Sequence, residues 1–114
     1  MSNREVPSNV PAADVAAIRE WAKGEPLIER VWLFGSRIRG DFNSDSDLDI
    51  GVEHGTSGGD GDPMATEAFE RPRWRRDVQE VVSLPIDLWG YRPGDTVRVE
   101  QSIRECSILI YEKE

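Results

Sequence analysis

The chain is predicted to form one α/β (α+β) domain, in which helices and strands alternate along the sequence. Three observations lead to this prediction. An amphipathic helical pattern opens the chain, and short apolar runs with strand periodicity recur after it. The length of 114 residues suits one domain with a single sheet and its helices.

Each element is predicted from the spacing of its apolar residues and from the turn residues beside it. Residues 1–11 are polar and are expected to be a flexible N-terminus, which leaves residues 12–114 as the folded domain. Residues 54–63 contain four glycines and are expected to be a mobile loop. Pro72 is expected to kink or split the helix around it. The predicted elements are a helix over 11–23, strands over 31–34 and 47–53, a helix within 64–82, a strand over 84–89, a helix starting at 95 or 96, and a strand over 107–111.

A small-residue turn follows the first predicted strand. Gly35 permits unusual backbone angles and the close approach of another group, and Ser36 is a good helix N-cap. The residues after Ser36 are predicted to begin a short helix whose free N–H groups face an anion. Arg37 and Arg39 lie close enough in sequence to add positive charge. The turn is therefore predicted to bind the phosphates of a nucleotide.

Two carboxylates stand at strand spacing after this turn. Asp47, Asp49 and Gly51 share one face of the second predicted strand, opposite an aliphatic face. Neighbouring carboxylates repel each other unless a positive charge lies between them. A Mg²⁺ ion held by one or two carboxylates and by substrate phosphates removes that repulsion. Asp47 and Asp49 are therefore predicted to be metal ligands.

A third carboxylate lies on the next predicted strand. In residues 84–89, Leu84, Ile86 and Leu88 form an aliphatic face and Asp87 points the other way. The same two-faced pattern therefore carries an acid on both strands. The predicted phosphate-binding turn, the predicted metal-binding carboxylates and a gap between them that suits a nucleotide together indicate nucleotidyl transfer.

The order Gly35-Ser36, ten residues, then Asp47-Leu48-Asp49 resembles the GS–x10–DxD signature of the minimal nucleotidyltransferases, within the polymerase β-like superfamily. The resemblance extends from about residue 12 to Glu112. It implies a small mixed sheet with helices on one face, and ATP as the substrate. It also implies that Asp47, Asp49 and Asp87 are catalytic and hold Mg²⁺, with two ions expected, and that Asp87 activates the acceptor hydroxyl.

Minimal nucleotidyltransferases of this size, which the chain resembles, are commonly found as antitoxins of HEPN-type ribonuclease toxins. Such antitoxins move AMP from ATP to a toxin tyrosine, so the resemblance implies a HEPN toxin as partner in a hetero-oligomer. Two alternatives stay open. The first is a non-catalytic antitoxin that neutralises its partner by binding. The second is the catalytic subunit of an aminoglycoside-type nucleotidyltransferase.

Two other motifs fail on the residues present. A P-loop requires Lys and Ser or Thr where Asp41 and Phe42 stand. An EF-hand loop beginning at Asp45 requires Gly at its sixth position and Glu at its twelfth, where Ile50 and Thr56 stand. Neither ATP binding by a P-loop nor calcium binding by an EF-hand is predicted.

The whole-chain charge and composition add further expectations. The net charge of −8 argues against direct binding of nucleic acid, which requires neutralisation of phosphates, and suits a basic protein partner. The single Cys106 cannot form an internal disulfide, and no stretch resembles a signal peptide or a membrane span, so a cytoplasmic location is expected.

A few side chains have more than one interpretation. His54 is interpreted as an exposed loop histidine, and Trp89 as a packing residue on its strand. Four arginines around Trp74 either contact a phosphate chain or an acidic partner, or form a solvated helix face; they are Arg71, Arg73, Arg75 and Arg76.

Overall fold

A four-stranded mixed sheet organises the computed structural model of the chain, with strand order β3-β2-β1-β4. The structure describes residues 6–56, 62–94 and 96–114. The order of elements is the predicted one. Their bounds are α1 Ala12–Lys23, β1 Ile28–Phe34, α2 Ser36–Arg39, β2 Leu48–His54, α3 Pro63–Val81, β3 Ile86–Gly90, α4 Val97–Glu105 and β4 Ser107–Glu112.

Strand directions follow from the connections. β1 pairs antiparallel with β2 and with β4, whereas β2 pairs parallel with β3. A parallel pair requires a crossover connection, and α3 provides it between β2 and β3. Because the two parallel strands start at the same edge of the sheet, residues near their N-terminal ends are brought side by side.

The core lies on one face of the sheet. Strand alternation places Leu48, Ile50 and Val52 on this face, where they are fully buried. Helices α1 and α3 cover it; the buried residues they contribute are Val15, Ile18, Ala22, Trp74 and Val78. The opposite face of β2 therefore carries Asp49 and Gly51, away from the core.

Helix α4 is the exception to the expectation of helices on one face. It packs on the face of Gly51, where a Cβ atom added to this glycine would lie 3.0 Å from Ile103 Cδ1 and 3.3 Å from Phe34 Cε1. The absence of a side chain at position 51 lets α4 approach the sheet beside the predicted acids. Sequence periodicity shows that α4 is amphipathic but not which face of the sheet it covers.

Pro72 was expected to kink or split its helix; α3 runs through Pro72 as one helix, so it is not split. Proline removes one backbone hydrogen bond, and tertiary contacts just after it hold the helix in place. Arg73 donates to both carboxylate oxygens of Glu25 at 3.0 and 2.9 Å, and the indole of Trp74 donates to the same carboxylate at 3.1 Å. The helix begins with Asp62 as N-cap and Pro63 at N1, an arrangement favoured at helix starts.

Parts of the two segments predicted to be flexible pack on the domain or belong to its helices and strands. Val6 packs against the core and Val10 is buried, so the domain extends before residue 12, while residues 1–5 lie outside the described residues. In the predicted loop 54–63, His54 belongs to β2 and Pro63 to α3. Residues 57–61 of that loop lie outside the described residues.

At the start of α4, Thr96 is the N-cap, and Asp95 lies outside the described residues. None of the helices in the described part of the chain combines the length and the apolar character that a membrane span needs.

Candidate active site

The turn after β1 is shaped by a close contact. Gly35 has φ 84° and ψ −165°, backbone angles that residues with a side chain rarely adopt. A Cβ atom at this position would lie 1.9 Å from Asp49 Oδ2, so the Asp49 carboxylate lies directly against the backbone of the turn. The predicted close approach at Gly35 is thus made by one of the predicted metal ligands.

Ser36 begins α2 as its first helical residue, and Gly35 occupies the N-cap position where Ser36 was predicted. Because Gly35 has no side chain, α2 begins without a side-chain capping hydrogen bond. Gly40 ends the short helix with φ 98°, an αL conformation typical of glycine after a helix. The predicted short helix after the turn is present, one position earlier than expected from the capping preference of serine.

Two of the three predicted acids are direct neighbours across the sheet. Asp49 pairs with Asp87 in the parallel β2–β3 register, and Phe34 pairs with Asp49 on the other side. Asp47 lies just before β2, which begins at Leu48. The topology therefore places acids that are 38 positions apart in sequence (87 − 49) opposite each other on one face.

The electrostatics of Asp49 are governed by its burial and by the charges of the two other predicted acids. The pKa of Asp49 is raised from 3.8 to about 6, mainly by burial and then by the charges of Asp87 and Asp47, while Arg39 acts in the opposite direction. Mutual repulsion of this kind is relieved by a cation between the carboxylates. The donor set fits Mg²⁺, which prefers carboxylate and phosphate oxygens.

The acids do not form a complete metal-binding cluster by themselves. Within residues 6–56, 62–94 and 96–114, no three or more His, Cys, Asp or Glu side chains are close enough together to hold a metal ion. Mg²⁺ is usually bound by one or two carboxylates together with substrate phosphates and water, rather than by a complete protein cage. The arrangement therefore fits a metal that arrives with its nucleotide.

Arg37 and Arg39, the two predicted phosphate ligands, have different environments. Arg37 is 5% exposed and donates to the backbone carbonyls of Ser46 at 2.9 Å and Ser44 at 3.4 Å. It also donates to both oxygens of Asn9, and its guanidinium lies over the ring of Phe42. Arg39 is exposed and pairs with Asp41 at 3.3 Å. Arg37 thus ties the segment before Asp47 to α2, and Arg39 is the arginine whose charge reaches Asp49.

Replacing Arg37 by methionine is expected to lower the free energy of unfolding by about 2–3 kcal/mol, because a buried guanidinium with several hydrogen bonds is lost. Urea unfolding of the variant measures this loss. Arg75→Met is the matched control, since Arg75 is exposed and has no ion pair within the described residues; it is expected to change stability by less than about 0.5 kcal/mol. Equal effects in the two variants would show that the Arg37 contacts contribute nothing.

A cleft of about 350 Å³ opens beside Asp49, between the sheet and α4, and is called the α4 cleft below. Its lining residues are Phe34, Asp49, Trp89, Arg98, Val99 and Ser102. Trp89 is 37% exposed rather than packed away. Arg71 stacks on its ring with the guanidinium carbon 4.6 Å from the ring centre, and donates to the carbonyl of Leu88 at 2.6 Å.

Sequence reasoning missed the α4 cleft. Its only sequence signal is that Trp89 stands two residues after Asp87, on the same face of a strand. The contribution of α4 has no such signal, because its side chains reach the site only through the packing of α4 on Gly51.

His54 and the arginines of α3 also differ from their sequence interpretations. The side chain of His54 is 0% exposed and its ring lies 5.3 Å from that of Trp74, so it is a buried residue rather than an exposed loop histidine. The arginines do not form one site: Arg71 contacts Trp89, whereas Arg73 is paired with Glu25.

A family comparison agrees with the fold. Residues 16–114 match the model of the family described as Polymerase beta, Nucleotidyltransferase. The chain belongs to this nucleotidyltransferase family. The family and the fold class predicted from the turn and the acids are thereby confirmed. No curated protein matches the chain of this nucleotidyltransferase.

Solved structures similar to this nucleotidyltransferase include toxin–antitoxin complexes. A chain of a toxin–antitoxin crystal structure with AMP-PNP is 16% identical with a TM-score of 0.65, over 88% of this chain and 74% of that chain. A chain of the MntA–HepT pair is 14% identical with a TM-score of 0.60, over 88% and 71%. A chain of the complex between the tri-AMPylated Shewanella oneidensis HEPN toxin and its MNT antitoxin is 15% identical with a TM-score of 0.59, over 88% and 71%. At these identities the likeness shows a shared fold.

Proposed function

We propose that this nucleotidyltransferase moves AMP from ATP to a hydroxyl of a protein partner, and that it acts as the antitoxin of a toxin–antitoxin pair. The observation that carries the proposal is the row formed by Asp49 and Asp87, paired across β2 and β3, directly beside the turn at Gly35. Nucleotidyl transfer needs phosphate binding, charge neutralisation and a base for the acceptor within one small space. The row and the adjacent turn support a site that combines these three roles.

The roles follow from position. The backbone of Gly35 and Ser36 and the charge of Arg39 bind the triphosphate at the start of α2. Asp47, Asp49 and Asp87 would hold two Mg²⁺ ions, which neutralise the charge of the leaving pyrophosphate when bound. Asp87 accepts the proton of the acceptor hydroxyl. At the same time the hydroxyl oxygen bonds to the α-phosphorus of ATP, and the bond from that phosphorus to pyrophosphate breaks.

The proposed partner is a HEPN-type toxin, with a tyrosine as the acceptor. The support is that the similar solved structures are toxin–antitoxin complexes, one of them with an AMPylated HEPN toxin. The acidic chain, with a net charge of −8, also complements a partner with a basic surface. The acceptor reaches Asp87 without obstruction by further strands, because β3 is an edge strand of the sheet.

Asp87→Asn is expected to lower AMP transfer by at least about 100-fold while leaving folding and MgATP binding nearly unchanged, because the amide is isosteric but cannot accept the proton. Intact-mass spectrometry of a purified HEPN toxin, incubated with this protein, Mg²⁺ and ATP, measures the addition of AMP. Asp45→Asn, an exposed acid in the segment before Asp47, is the matched control and is expected to transfer at the parent rate.

The same variant separates catalysis from neutralisation by binding. In cells that produce the toxin with Asp87→Asn, death is expected if AMP transfer neutralises the toxin. Survival, with the toxin unmodified by mass, would show that contact alone suffices and would overturn the catalytic proposal. Transfer at the parent rate by the purified variant would show instead that Asp87 is structural.

A further inference from the structure

We propose that the α4 cleft binds the base of the substrate nucleotide and that it favours a purine. This inference rests on the proposed function and extends it from the phosphates to the base. It is argued from the arrangement of side chains on the acid-bearing face of the sheet and from the approach of α4 to that face.

Two rows of residues cross this face. One row contains Phe34, Asp49 and Asp87, and the next contains Trp32, Gly51 and Trp89, as the strand registers require. Trp89 lies two residues beyond Asp87, about 6.6 Å along the strand. A nucleotide with its phosphates beside the acids therefore has its base within reach of the second row.

The middle of the second row carries no side chain of its own and is covered by apolar side chains of neighbouring elements. Gly51 carries no side chain, and the space where one would stand is bounded by Ile103 Cδ1 at 3.0 Å and Phe34 Cε1 at 3.3 Å. The floor of the α4 cleft is therefore apolar. Phe34 directly precedes Gly35, so the cleft is continuous with the turn that is proposed to bind phosphate.

The walls of the cleft suit a flat aromatic ring. Trp89 presents a large ring. The guanidinium carbon of Arg71 lies over this ring, 4.6 Å from its centre, and holds it in place. Val99 of α4 lines the other side. Bases stack on aromatic side chains with a free energy of about 1–3 kcal/mol per base, and a purine offers the larger stacking surface.

Polar groups at the rim can bind the edge of a base. Arg98 and Ser102 line the cleft, and Arg98 has no ion pair or hydrogen bond to another residue in the described part of the chain. Its guanidinium offers donors to ring nitrogens and carbonyl oxygens of a base. A cleft with mostly apolar walls and a few polar groups is typical of small-molecule sites.

The position of the cleft favours the base over the acceptor side chain. Asp87 lies on the edge strand β3, so a folded partner reaches it from outside the sheet. The α4 cleft lies inward of Trp89, between the sheet and α4, and its volume of about 350 Å³ suits a small molecule rather than a folded segment.

The test compares the binding of MgATP with that of magnesium tripolyphosphate, which has the phosphates but no base, by isothermal titration calorimetry. The parent is expected to bind MgATP about 10-fold or more tightly than tripolyphosphate. Trp89→Ala is expected to lose this difference while its affinity for tripolyphosphate stays within about 2-fold. Trp89→Phe keeps a ring and is expected to retain most of the difference.

Phe69→Ala is the matched control, because Phe69 is 81% exposed on α3 and does not line the cleft. It is expected to bind both ligands as the parent does. The parent is also expected to bind MgATP and MgGTP more tightly than MgCTP, and Trp89→Ala to lose that preference. Thermal unfolding of each variant, measured first, ensures that only folded protein is titrated.

Several outcomes would overturn the inference. If Trp89→Ala binds MgATP like the parent, or weakens tripolyphosphate equally, the cleft does not bind the base. If Trp89→Ala alters only the KM for the toxin acceptor, the cleft belongs to the acceptor. In these cases AMP transfer by the parent leaves the proposed function intact. If the parent binds neither MgATP nor tripolyphosphate, the proposed function fails, and the inference fails with it.

Discussion

Gly35→Ala is expected to abolish AMP transfer and to lower the free energy of unfolding by about 2–4 kcal/mol. The new Cβ atom would lie 1.9 Å from Asp49 Oδ2 and 2.8 Å from Asp49 Cγ, so the carboxylate must move out of its row. The backbone at φ 84° and ψ −165° is strained for any residue with a side chain. Urea unfolding and the mass assay of AMP transfer measure the two effects.

Gly40→Ala is the matched control for this variant. Gly40 also has a positive φ, 98°, but a Cβ atom there would meet nothing within 4 Å. Its substitution is therefore expected to cost only the backbone strain, about 1–2 kcal/mol, and to leave transfer nearly unchanged. The difference between the two variants isolates the contact with Asp49, and identical losses in both would show that this contact is unimportant.

A double variant tests the same contact from the other side. Asp49→Ala removes the carboxylate that the Gly35→Ala side chain would strike. Adding Gly35→Ala to that background is expected to destabilise less than adding it to the parent, because neighbouring residues that share a contact are not additive. Equal destabilisation in the two backgrounds would place the cost of Gly35→Ala entirely in the backbone.

Asp49→Asn is expected to abolish transfer and yet to stabilise the protein in the absence of divalent metal and nucleotide. The pKa of Asp49 is raised from 3.8 to about 6 in the fold, first by burial and then by Asp87 and Asp47. The fold therefore disfavours the ionised carboxylate. Because Asp49 is only partly buried, solvent screening reduces the cost, and a gain of about 1–2 kcal/mol is expected for the neutral amide above pH 6.

The pH dependence of this gain has a definite direction. Well below pH 3.8 the Asp49 carboxyl is protonated in both the folded and the unfolded states, so the parent carries no penalty. The penalty grows as the pH rises from about 4 to 6, where the unfolded state has lost the proton and the folded state has not, and it is constant above that range. The stability difference between Asp49→Asn and the parent is therefore expected to increase with pH across this window.

Urea unfolding in EDTA at several pH values from 4 to 8 measures this difference, with Asp45→Asn, a change at an exposed acid, as the control variant. Addition of MgATP is then expected to stabilise the parent more than Asp49→Asn, because a ligand that binds the folded state raises its stability. A stability difference that stays constant from pH 4 to 8 would mean that Asp49 is not destabilised by its surroundings.

Local sequence patterns were sufficient to predict the order of the elements, and they indicated a class of enzyme. The alternation around Asp49 and around Asp87 reports strand faces directly, because side chains of a strand point in opposite directions at successive positions. Gly35 reports a turn because few other residues adopt its backbone angles. These signals need only neighbouring residues, and the family comparison confirms the class of enzyme that they indicated.

Patterns of this kind failed where long-range contacts compete with local preference. Pro72 was expected to kink or split α3, yet the helix is not split, because Arg73 and Trp74 are held by Glu25, which precedes β1. His54 was expected to be exposed, yet it is buried against Trp74. In both cases the deciding partner lies on another element, and its distance in the fold is not visible in the spacing of residues.

The division is clearest among the residues of the site itself. The identity of the acids and of the glycine turn can be read from the chain, because each depends on its own strand or turn. The pairing of Asp49 with Asp87, the burial of Arg37 and the α4 cleft were decided by the packing of separate elements. Such packing depends on the summed fit of side chains from distant parts of the chain, and a single sequence records those residues without recording which of them meet.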